Sequence, residues 1–216
     1  MGFDTNVFPG HEAMDAWKRS GEYEWVGYYL PAPCHKDDSW SGTRARLTKD
    51  GWGLAVIYVG QQTWGRKLTA AKATTSIAKA KKTASKKHRS TRRMTRHTTK
   101  PVASSGERCS ASFVSAAQGR IDARDAITQA TREGFPAGTV VFLDVEYMDV
   151  LPALMRDYYR TWTRTVLADG RYRPGIYAHT RNAAAIYDDI TDVYADAGID
   201  ADPPFWVAGS NGFSPD

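Results

Sequence analysis

The sequence predicts an α/β protein in which strands and helices alternate and the parallel strands close into a β/α (TIM-type) barrel. Three observations carry that expectation. Apolar strand-like runs alternate with amphipathic helical stretches along the chain until six strands are counted, and such alternation builds parallel βαβ units. The run TVVFLDVE (Thr139 to Glu146) is almost wholly apolar without polar alternation, as in a strand covered on both faces. The distinctive side chains Asp4, Tyr58, Asp144, Glu146, Tyr177 and Trp206 all fall at strand C-terminal ends, where β/α barrels carry their chemistry. The competing architecture is an open doubly wound sheet. No glycine-rich phosphate loop follows the first strand, which weighs against its nucleotide-binding form.

The elements follow in order. GFDTN (Gly2 to Asn6) opens as a short strand. HEAMDAWKRSG sets Ala13, Met14 and Trp17 on one helical face and stops at Gly21. WVGYYL is the second strand, and SGTRARLTKDG a short helix ending at Gly51. LAVIYVG (Leu54 to Gly60) is the third strand. After an interruption, the stripe Ala123, Ile127 and Ala130 marks a helix stopped by Gly134. TVVFLDVE is the fourth strand. Leu154, Tyr158, Trp162 and Val166 recur every four residues in the next helix. RPGIYAH is the fifth strand. Ile186, Ile190 and Tyr194 line a helix stopped by Gly198, and PPFWVAGS is the sixth strand. A complete barrel has eight strands and about 250 residues, so this one is expected to be incomplete at its C-terminus.

The interruption is a basic, low-complexity insert after the third strand. Residues 66–100 contain 13 Lys or Arg and no Asp or Glu. The chain has 29 basic and 24 acidic residues, so the remainder carries 16 against 24, a net of −8 beneath an overall +5. The insert has few apolar anchors and cannot bury enough surface to offset chain entropy, so a mobile loop is expected, with at most a marginal helix over 70–87. Its charge suits an anionic polymer; its lack of aromatics argues against base stacking. The rest is read as one domain spanning 1–216. No apolar run reaches the roughly 18 residues of a membrane span, and MGFDTNVFPG has no signal-peptide pattern. Cys34 and Cys109 follow strands. A disulfide and two free thiols both remain open. His35 and His179 lie just after strands and are read as ordinary structural histidines. No metal-ligand spacing and no cofactor motif is found.

The chemistry concentrates in FLDVE. Asp144 and Glu146 are two residues apart on a strand, so they share a face with Cα atoms roughly 7 Å apart. Paired carboxylates repel one another and cost desolvation energy, which a merely structural strand end would avoid. Glycosidic cleavage needs such a pair, one carboxyl kept neutral and one ionised. Tyr58, Tyr177 and Trp206 are candidate sugar platforms along the cleft.

The motifs GFDTN, FLDVE, PGIYAH and FWVAG resemble the family 25 glycoside hydrolases, the lysozyme-type muramidases. They are closer still to the glycoside hydrolase-like domains of actinobacterial secreted proteins, which FPAGTVVFLDVE and YRPGIYAH typify. The resemblance implies a β/α barrel. It implies that Glu146 is the general acid, that Asp144 orients the N-acetyl group or stabilises positive charge, and that Asp4 is the first-strand carboxylate of the same cleft. It implies a peptidoglycan-like N-acetylated glycan as substrate, a monomer, and a secreted or cell-envelope location. The family's late-strand Asp has no counterpart, and Thr5 and Asn6 depart from the usual hydrophobic residue and Ser. A barrel that binds glycan without cleaving it is therefore the first alternative, and polyanion or nucleic-acid binding through the insert the second.

Overall fold

The structure, a computed structural model, describes residues 1–63 and 109–208. The basic segment 66–100 and the helix considered over 70–87 lie outside the described residues. Six strands form one sheet in the order of the sequence: β1 (Gly2–Phe3), β2 (Trp25–Tyr29), β3 (Gly53–Val59), β4 (Val140–Val145), β5 (Arg173–His179) and β6 (Phe205–Ala208). Every neighbouring pair is parallel. Between them run α1 (His11–Ser20), α2 (Arg44–Lys49), α3 (Ala116–Arg132), α4 (Ala153–Asp169) and α5 (Thr180–Asp196). A 3-10 turn over Ala111–Phe113 precedes α3.

Parallel strands in sequential order need a crossover of the same hand each time, which puts the helices on one face and leaves the other concave. The result is a half-barrel sheet of six strands. The α/β alternation expected from sequence holds; a closed eight-stranded barrel is not what the described residues form. The first strand is also shorter than GFDTN, because only Gly2 and Phe3 pair with β2. Asp4 is thereby released from the ladder at the strand end.

The core lies between the sheet and its helices. Val26, Tyr28, Val56, Tyr58, Leu143 and Ile176 are fully buried on the helix side, in one core cluster with Met155, Tyr158, Trp162 and Ile186. Tyr58 belongs to this layer and not to the cleft. Its register partner is Leu143, one residue before Asp144, so its side chain points to the opposite face. Its hydroxyl donates to Asp125 of α3 at 2.9 Å. Beside it the buried Tyr158 hydroxyl donates to Asp122 and accepts from the Gln61 backbone N–H. The expectation that Tyr58 is a sugar platform is corrected by this placement.

Cys34 and Cys109 form a disulfide, which decides between the two states the sequence left open. It joins the loop after β2 to the point where the described chain resumes. Gln61 and Ser110 reinforce the tie, the Ser110 N–H donating to the Gln61 side-chain oxygen at 3.1 Å. The described residues on either side of 64–108 are therefore held together. Closing a 75-residue separation removes unfolded-state entropy worth about 4 kcal/mol in the chain-entropy account.

Gly119 lets α3 approach α4. A Cβ there would sit 2.3 Å from the Tyr158 carbonyl oxygen, a backbone atom that cannot swing away. Gly to Ala inside a helix ordinarily stabilises by up to about 1 kcal/mol. Here overpacking reverses the sign: Gly119→Ala is expected to lower unfolding free energy by about 2 kcal/mol in urea titrations. A stabilised variant would show that the helices do not touch there.

Candidate active site

The C-terminal strand ends frame a cleft of about 370 Å³, lined among others by Asp4, Tyr29, His35, Asp144, Glu146, Tyr177 and His179. Period-two alternation delivers these side chains. Asp144 pairs in register with Tyr177, so both face the concave side, and Val59 opposes Asp144 from the other neighbour. Four of the residues singled out from sequence, Asp4, Asp144, Glu146 and Tyr177, meet here. Trp206 continues the same row, with its ring 4.5 Å from that of Tyr177. It borders a separate apolar cavity of about 800 Å³ rather than the carboxylate cleft.

Asp4 reaches the cleft because β2 makes room for it. A Cβ on Gly27 would lie 2.7 Å from the Asp4 Cβ and 2.9 Å from Ile57. The Asp4 carboxylate is fixed through Oδ2, which accepts from the Tyr29 hydroxyl at 2.7 Å and from Tyr177 at 3.4 Å. Burial pushes both phenols up, and the charge and hydrogen bond of Asp4 add to this, so both remain donors.

Asp144 is only 4% exposed. Burial raises its pKa well above the usual carboxylate range; the charges of Glu146 and then Asp4 raise it further. Among the three carboxyls it is therefore the one built to hold a proton. The resemblance implies the neutral acid at Glu146. The half-buried Glu146 faces the cleft beyond it, and the proton that Asp144 retains lies one alternation deeper.

Gln62, itself buried, links the pair. Its Nε2 donates to the Asp144 carbonyl at 2.8 Å and its Oε1 accepts from the Glu146 N–H at 3.2 Å. One amide thus substitutes for a neighbouring strand where β4 ends, and it sets the direction of Glu146. Sequence reading missed Tyr29, Gly27 and Gln62. Tyr29 was detectable as a bulky polar residue at the C-terminal end of the second strand; nothing in the sequence marks Gln62.

The histidines behave differently from one another. His179 is the N-cap of α5, its Nδ1 accepting from the Arg181 N–H at 3.1 Å. His35 is 8% exposed, lies beside Tyr29 with ring centroids 5.0 Å apart and planes tilted by 34°, and among the described residues has no partner for Nε2. Burial lowers its pKa, partly opposed by Asp37. Among the described residues no three His, Cys, Asp or Glu side chains are grouped to hold a metal ion.

A barrel-like sheet with carboxylates at the strand ends agrees with the comparisons to known proteins. A family model described as the Rv2525c-like, glycoside hydrolase-like domain matches residues 15–211. The chain belongs to this family. Asp144, Glu146, Tyr177 and Trp206 lie within the matched span of the Rv2525c-like domain, and Asp4 precedes it. No curated protein matches the sequence. A crystal structure of an uncharacterized B. stearothermophilus protein is similar, with a TM-score of 0.58 and 17% identity, over 96% of this chain and 73% of that one. At that identity the likeness speaks for the fold of the Rv2525c-like domain alone.

The Asp144 shift has a stability consequence. Its folded pKa lies above the unfolded value of about 3.9. The native state therefore binds more protons than the unfolded chain, and the contribution of Asp144 is full below that pH. It is lost as pH rises toward the folded pKa, at up to about 1.4 kcal/mol per unit. Asp144→Asn removes this loss. Melting temperatures of variant and native protein, compared from pH 4 to pH 8, are expected to diverge in favour of the variant as pH rises; a gap that narrows would place the Asp144 proton elsewhere.

Proposed function

We propose that this glycoside hydrolase-like domain cleaves peptidoglycan or a related N-acetylated glycan by acid catalysis from paired carboxylates. The observation that carries the reading is the convergence of Asp4, Asp144 and Glu146 in one cleft, with burial and like charge holding a proton on Asp144. A cluster of three carboxyls that keeps one proton has both an acid and a base available, as glycosidic cleavage requires.

In this reading the proton held on Asp144 passes to Glu146, at the accessible edge of the pair, and from there to the glycosidic oxygen as the bond to the anomeric carbon breaks. The leaving sugar departs as an alcohol, and positive charge develops on the ring. Asp144, ionised once the proton has left, accepts a hydrogen bond from the acetamido N–H, which suits it to orient that group as internal nucleophile. The fixed Asp4 carboxylate stabilises the developing charge. Water then restores the hydroxyl at the anomeric carbon, and its proton returns to the cluster. The disulfide supports an oxidising compartment and thus a secreted or envelope location. The relation to the family 25 hydrolases and the monomeric state belong to the same proposal. So does anchoring to an anionic wall polymer by the basic segment 66–100.

Release of reducing ends from purified peptidoglycan and from chitin oligomers, followed for native protein and Glu146→Gln, tests the reading. Native turnover is expected, with a loss of at least about a hundredfold in the variant. Glycan binding without turnover in the native protein would favour a binding module. Binding to nucleic acid that falls steeply with salt would favour the basic segment as the working part.

A further inference from the structure

We infer that Tyr147 is a stacking platform for a sugar ring beside Glu146, a subsite that rests on the glycan-hydrolysing function proposed above. Tyr147 directly follows Glu146, and its side chain is 48% exposed, although 37 apolar and aromatic side chains are buried among the described residues. An exposed large aromatic ordinarily needs no explanation. The backbone that carries this one does.

Both flanks of Tyr147 are pinned by buried amide side chains. On one side the Glu146 N–H donates to Gln62. On the other, the Met148 N–H donates to Asn182 Oδ1 at 3.0 Å, and Asn182 Nδ2 donates back to the Met148 carbonyl at 3.0 Å. Gln62 and Asn182 are 2% and 6% exposed. Burying two amides is tolerated only because their hydrogen bonds are made, and what those bonds fix is the chain on either side of an exposed ring.

The ring itself is also held. Its hydroxyl donates to Asp149. It meets the His179 ring edge-to-face, centroids 5.1 Å apart and planes at 81°. His179 is in turn locked as the cap of α5 and borders the carboxylate cleft. With Nδ1 accepting from the Arg181 N–H, Nε2 is the ring nitrogen left to donate at the rim of the cleft. The arrangement is a flat apolar face of fixed direction, a polar N–H at its margin, and the proposed acid one residue away. That matches a pyranose, whose axial C–H groups form an apolar face and whose rim carries hydroxyl and carbonyl acceptors. A preorganised aromatic face yields affinity without the ordering cost of a mobile loop.

The test separates this subsite from the function it rests on. Binding of N-acetylglucosamine hexamer and of soluble peptidoglycan strands is measured by calorimetry in the Glu146→Gln protein, alone and combined with Tyr147→Ala or Tyr147→Phe. The same Tyr147 variants are assayed for turnover with Glu146 intact. Tyr147→Ala is expected to weaken binding and raise KM by roughly tenfold with kcat little changed. Tyr147→Phe keeps the face and is expected to stay within about twofold. Unchanged binding in Tyr147→Ala would overturn the platform while leaving the hydrolase reading intact. Equal losses in Ala and Phe would assign the effect to the hydroxyl and also overturn stacking. No binding of either glycan by the parent protein would overturn both.

Discussion

The burial of Asp144 beside two other carboxyls is the constraint on which the rest of the site depends. A carboxyl with so little access to water ionises poorly, and the neighbouring Asp4 and Glu146 charges oppose its ionisation further. The fold must supply something that keeps three acids together. It does so with a parallel strand paired on both sides, which fixes Asp144 through the β-ladders to its two neighbours. Two tyrosine hydroxyls hold Asp4, and a buried glutamine holds the backbone across the pair. The cost of crowding is offset by rigid neighbours and by leaving one proton in the cluster.

The half-barrel sheet explains why the acids meet at all. Parallel strands in sequential order present all their C-terminal ends on one side, so residues from the beginning, middle and end of the chain converge there. Asp4 and Tyr177 are 173 residues apart in sequence and share a hydrogen bond. The disulfide and the Gln61–Ser110 contact perform a related task. They close the base of the long segment between β3 and α3 beside the cleft, so β3 and β4 remain neighbours despite the interruption.

Much of this was legible in the sequence because the signals were local. Apolar runs, helical stripes and glycine stops located all six strands and five of the helices within a few residues, since each depends on its own period. The Asp-x-Glu spacing placed two carboxylates on one face with no knowledge of the fold. What was not legible depended on register. Tyr58 sits at the end of β3 as Asp144 does at the end of β4, yet the offset of one residue between the strands turns it to the helices. Trp206 faces the concave side as its row requires, but it borders the apolar cavity rather than the cleft. Gln62 and Asn182 were invisible because their partners are backbone groups, which no side-chain pattern announces. The barrel was inferred from the strand–helix alternation and the placing of special residues at strand ends, but closure is a property of the sheet edges, which sequence periodicity does not describe.

The most direct measurement is a carbon-13 NMR titration of the aspartate side-chain carboxyls, with Asp144 assigned by its absence in Asp144→Asn and the series repeated in Glu146→Gln. Burial and like charge together predict that Asp144 titrates well above the ordinary carboxylate range in the native protein. They also predict that its midpoint falls, without becoming ordinary, when Glu146 is neutral, because desolvation is the larger cause. An Asp144 that titrates near pH 4 in both proteins would contradict the proton-holding cluster and with it the acid catalysis built on that cluster.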